Sequence, residues 1–157
     1  MAKGNNNNKG KKKQNRDNYF SKNIKTGGEN FLENKNINNL IRDAKIVFRD
    51  IAYSNIDYEK YYQYFTNNQF MSSLIQAANA ELFESSSILN SLNLQLQQWN
   101  MSGILVDPAF ANIIEKWSRK TTAYQYILNG LSQFMQNPYP EVLLGLSKNL
   151  FNLRYDI

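Results

Sequence analysis

Residues 68–100 read NQFMSSLIQAANAELFESSSILNSLNLQLQQWN. Ile75, Leu82, Leu89 and Leu96 recur every seven positions, and Met71, Ala78, Leu92 and Trp99 fall three or four positions from them. Apolar residues at that spacing share a face, so the stretch predicts one helix roughly 48 Å long at about 1.5 Å per residue. Between Lys60 and Lys116 the only charged residues are Glu81, Glu84, Asp107 and Glu115. The positions off the stripe are mostly amides and hydroxyls, where a helix facing water normally carries Glu and Lys. Desolvating an amide costs far less than burying an unpaired charge, so such a helix suits a partly polar subunit interface. Gln76, Asn79, Ser86, Asn93 and Gln97 are the candidate interface residues on it.

The flanking segments complete a bundle. Gly103 suits a left-handed C-terminal cap, Ile104, Leu105 and Val106 read as a brief extended link, and Asp107-Pro108 starts a new helix with Asp as N-cap. Phe110, Ile113, Ile114, Trp117, Thr121, Tyr124, Leu128, Leu131 and Met135 form its stripe, to about Gln136. The short link makes this helix antiparallel to its predecessor. Lys116, Arg119 and Lys120 cluster on it, read as a solvated face, with an acidic partner as the alternative. Pro138 and Pro140 end it. A short helix follows with Val142, Leu143, Leu146, Leu150 and Leu153 inward, and a tail, Arg154 to Ile157, suited to packing on a neighbour.

Upstream, Ile37, Leu40, Ile41, Ala44, Val47, Phe48 and Ile51 predict a helix from Asn34 to about Tyr53, with Arg42, Lys45 and Arg49 on its other side, read as a solvated face with phosphate contact as the alternative. Asp57 opens a short helix to about Phe65 whose aromatics, Tyr58, Tyr61, Tyr62, Tyr64 and Phe65, are too many for one stripe. Tyrosine favours interfaces, which adds Tyr58, Tyr61 and Tyr62 to the interface set; stacking of single-stranded bases is the sharper alternative. The expectation is an all-α bundle on two long antiparallel helices, about 68–100 and 108–136, forming a single helical domain over 31–157.

The 157 residues include no Cys and no His. Thiol and imidazole chemistry, disulfides and the common zinc sites are thereby excluded, and no carboxylate cluster or phosphate loop stands in for them. No enzyme activity, metal or cofactor is expected. No apolar run approaches a membrane span. Asn occurs 24 times, a coding bias that dilutes the reading of any one of them.

Charge is segregated. Lys3, Lys9, Lys11, Lys12, Lys13, Arg16, Lys22 and Lys25 against Asp17 give residues 1–25 a charge of +7; the whole chain is +5, leaving 5 − 7 = −2 for the rest. Residues 1–30, with Asn5 to Asn8 and few apolar side chains, read as a disordered arm that contacts phosphates or a neighbouring subunit, or else as a solubilising tail with no fixed partner, while the acidic body is not expected to bind nucleic acid by itself.

The 68–100 and 108–136 helix pair, the Asn-rich basic arm and the lack of Cys and His together resemble the small helical structural proteins of tailed phages with AT-rich genomes, including crAss-like phages. The resemblance implies a virion subunit, of a portal-bound ring, a head-to-tail connector or another oligomeric or internal part of the particle, assembled in the host cytoplasm. Its partners would be further copies of itself, other virion proteins and, through the arm, packaged DNA. The alternative is a small nucleic-acid-binding accessory protein of phage replication or transcription, without sequence preference.

Overall fold

Asn36 opens the first helix by accepting a hydrogen bond from the Asn39 N–H at 2.9 Å. In a computed structural model the described residues are 36–54 and 56–157, the side chains of 58–61 excepted. The expected boundary between arm and body, and every basic residue named in the arm, lie outside them. Five α-helices follow in order: α1 (Ile37–Ala52), α2 (Tyr58–Phe65), α3 (Asn68–Met101), α4 (Pro108–Gln136) and α5 (Pro140–Leu150), then a 3-10 helix, Phe151–Asp156. No strand occurs among the described residues. The fold is an all-α bundle on two long antiparallel helices.

The hairpin between α3 and α4 is specified locally. Gly103 sits at φ +69°, the left-handed region where a side chain is strained. Asp107 caps α4 by accepting from the Ala109 N–H at 2.9 Å, with Pro108 in the first turn. These signals turn the chain back within a few residues, so α4 lies along α3.

The described residues cover only one half of the hairpin. Phe70, Met71, Leu74, Ala77, Ala78, Glu81 and Ser85 are buried on α3, and Thr121, Ala123, Tyr124, Ile127, Gly130, Leu131 and Phe134 on α4. They form one core with Leu40, Val47, Phe48 and Ile51 of α1 and Leu143, Leu146 and Leu150 of α5. From Ser86 to Lys120 no residue is buried. There the two helices form a bare arm, roughly 24 Å from Ser86 to Met101 at about 1.5 Å per residue. Its seam is half-buried Leu89, Leu92, Leu96 and Trp99 against Phe110, Ile114 and Trp117, and the Trp99 and Phe110 rings meet edge-on with centroids 4.9 Å apart.

Four details depart from the periodicity. Ile75 and Leu82 are only partly buried, because α1 and α2 cover a second face of α3 and draw in Leu74, Ala77 and Ser85. On α4, Met135 is 53% exposed and Phe134 takes the core position. A seven-residue pattern drifts by roughly 20° per repeat on a 3.6-residue helix, which misplaces its last members. The tail folds onto its own chain: Arg49 Nη2 donates to the Ile157 carbonyl at 3.1 Å, and Ile157 is buried. Lastly, Lys45, Arg119 and Lys120 are not simply solvated, since each is held by an intramolecular ion pair.

Candidate assembly interface

The outer face of α3 is the candidate site. Residues three, four and seven apart share a helical face, so Gln76, Asn79, Ser86, Asn93 and Gln97 align with Phe83 and Met101, and Leu94 lies at their edge. Gln76, Asn79, Asn93 and Gln97 are exposed and Ser86 is half-buried. Phe83 is 77% exposed, Leu94 59% and Met101 82%. No charge interrupts this face. At the tip, Ile104 is 52% and Leu105 98% exposed, the latter with almost its whole side chain in water.

Two hydroxyls on the arm are spent locally. Ser87 Oγ donates to the Phe83 carbonyl at 2.8 Å and Ser91 Oγ to the Ser87 carbonyl at 3.0 Å. Such back-bonding satisfies these two serines within their own helix.

Tyr62 is placed differently from the other interface candidates. It is half-buried, its ring meets Phe134 edge-on at 6.0 Å, and its hydroxyl donates to the Pro138 carbonyl. Its role is therefore to pin α2 to the end of α4. The side chains of Tyr58 and Tyr61 lie outside the described residues.

The arm is anchored by a charge cluster at its base. Glu81 is 5% exposed, and its Oε2 stands 2.8 Å from Lys120 Nζ and 3.4 Å from Lys45 Nζ. Three helices are tied through one carboxylate. Burial pushes the Glu81 carboxyl up, but contact with the Lys120 ammonium and the charge of Lys45 outweigh it and hold the group below its ordinary range. Beside it the Tyr124 hydroxyl is fully buried without a hydrogen-bond partner. Burial, and then the negative charge of Glu81, push that phenol well above the ordinary tyrosine range against the pull of Arg49. Sequence reasoning missed this cluster. Its one signal was Glu81 itself, a charge in a span almost without charges.

No helix among the described residues is long and apolar enough to cross a membrane. Against protein-family models, curated proteins and solved structures, the chain finds no match.

Proposed function

We propose that this chain is a non-enzymatic structural subunit of an oligomeric assembly, joined to its neighbours through the α3–α4 arm. In keeping with the resemblance of its composition and layout to small helical phage proteins, the assembly is a virus particle, and the subunit belongs to a ring or connector.

The observation that supports this reading is the charge-free outer face of α3, with Phe83, Leu94 and Met101 exposed along it and Leu105 at its tip. Large apolar side chains repeated along one face that carries no charge favour an interaction site there. Among the described residues this two-helix arm has no third layer to cover its flanks, and neighbouring arms supply one by packing as in a four-helix bundle.

Native mass spectrometry with negative-stain imaging tests the reading. Rings or a defined large oligomer are expected. A species that stays monomeric at about tens of micromolar, well above the Kd of a stable assembly, and forms none with co-expressed virion proteins, would refute it.

A further inference from the structure

The net charge of −2 on the body conceals a local basic surface. The fold brings Arg49 of α1, Lys116 of α4 and Arg154 of the 3-10 helix around Tyr155, although they lie far apart in sequence. Two clefts, of about 370 Å³ and 210 Å³, share Tyr155 and Ile157 as a common wall. Arg49, Tyr53 and Arg154 line the first; Lys116 and Trp117 line the second.

Lys120 and Arg119 nearby are taken up by Glu81 and Asp156. No Asp or Glu side chain lies in pairing range of Arg49, Arg154 or Lys116 among the described residues, although Asp156, paired with Arg119, lines the same cleft as Lys116, and Arg49 is held by an oxygen of Ile157, the last residue. Each arginine spends one donor on a backbone oxygen, Arg49 on Ile157 at 3.1 Å and Arg154 on Phe151 at 2.6 Å. A guanidinium has five N–H donors, so several remain on each. The Arg154 guanidinium lies 4.5 Å from the Tyr155 ring centroid, and the Tyr155 side chain is 77% exposed.

We infer that this surface binds single-stranded nucleic acid, with Tyr155 as a base-stacking platform and Arg49, Arg154 and Lys116 on successive phosphates. Cations interleaved with exposed aromatic rings are what such a strand needs, because every base has a π-face and every linkage a negative charge. An acidic peptide would use the cations and leave the aromatic platform idle. The surface is separate from the outer face of α3, so the inference does not rest on the proposed assembly.

The test uses the full chain and fluorescence anisotropy with a labelled oligothymidylate, an abasic strand of equal length and polyglutamate. Tyr155→Ala should weaken oligothymidylate binding roughly tenfold, the effect of losing one stacked base, and leave the abasic strand unaffected. Replacing Arg154 and Lys116 together by Gln should flatten the log–log salt slope by about 1.4, at about 0.7 per phosphate on a single strand. Both sites are exposed or half-exposed, and circular dichroism melts should match the wild type. Oligomer size should not change. Equal affinity of Tyr155→Ala and wild type for oligothymidylate would overturn the inference. So would binding abolished only when Lys11, Lys12 and Lys13 become Gln, or polyglutamate competing as well as oligothymidylate, which would assign the surface to an acidic protein.

Discussion

Glu81 is where local sequence rules and tertiary demand conflict most. Its carboxylate is almost completely buried, which is tolerable only because Lys45 and Lys120 arrive from α1 and α4. Glu81→Gln leaves two ammonium groups facing each other, each still 22–23% exposed. That partial exposure puts the loss at about 2–3 kcal/mol, at or below the low end of the roughly 3–5 kcal/mol for a fully buried pair. A urea titration of wild type and variant measures it. Because the folded carboxyl titrates below its ordinary 4.5, its stabilisation is complete above that pH and is lost as pH falls through the lower folded value. The gap between the two proteins should hold at neutral pH and close in acid. Tyr124→Phe removes a buried hydroxyl that has no partner while keeping the ring, which meets Phe48 edge-on at 6.0 Å. The variant should be as stable as wild type or about 1 kcal/mol more so, since an unsatisfied buried group is relieved. A thermal melt decides the sign.

At the scale of elements, two glycines in helices distinguish a close approach from an open face. A Cβ on Gly130 of α4 would stand 2.7 Å and 2.8 Å from the two Cδ atoms of Leu146 and 3.0 Å from its Cγ. Leu146 is itself 3% exposed in the core of α5 and has little room to retreat. Gly130→Ala gains about 1 kcal/mol of helix propensity and incurs about 1–3 kcal/mol of overpacking. The expected net is a loss of about 1 kcal/mol. At Gly145 a Cβ meets nothing within 4 Å, so Gly145→Ala should raise stability by up to about 1 kcal/mol. Chemical denaturation of the pair reads both signs in one experiment.

Over the whole molecule, the hairpin joins two regimes. Its lower half is core, closed by α1, α5 and the 3-10 helix; among the described residues its upper half has only its own seam. Met101→Asp or Leu105→Asp touches residues that are 82% and 98% exposed, so the melting of an isolated subunit should not change. If the arm is the assembly surface, a charge there must be desolvated or left out, and the oligomer should fall to smaller species in sedimentation velocity. An oligomer unchanged by both substitutions would place the contact elsewhere.

The chain by itself determined the helices, their order and their turns. Ile37 to Ile51, the pattern after Asn68, Gly103, Asp107-Pro108 and Pro138 to Pro140 act through neighbours in sequence, where spacing and backbone conformation decide. The charge-free face of α3 was legible for the same reason, since a helix brings residues three and four apart together without help. Only the tertiary structure decided how far along the hairpin the core reaches, because that depends on where α1 and α5 dock. It also decided that Ser85 and Glu81 are buried while Phe83 is not, and that Tyr62 packs inward. The joining of Arg49, Lys116 and Arg154 around Tyr155 belongs with these. Burial and long-range charge pairing are properties of three-dimensional neighbourhood, and periodicity along one helix carries no record of which of its faces another helix will cover.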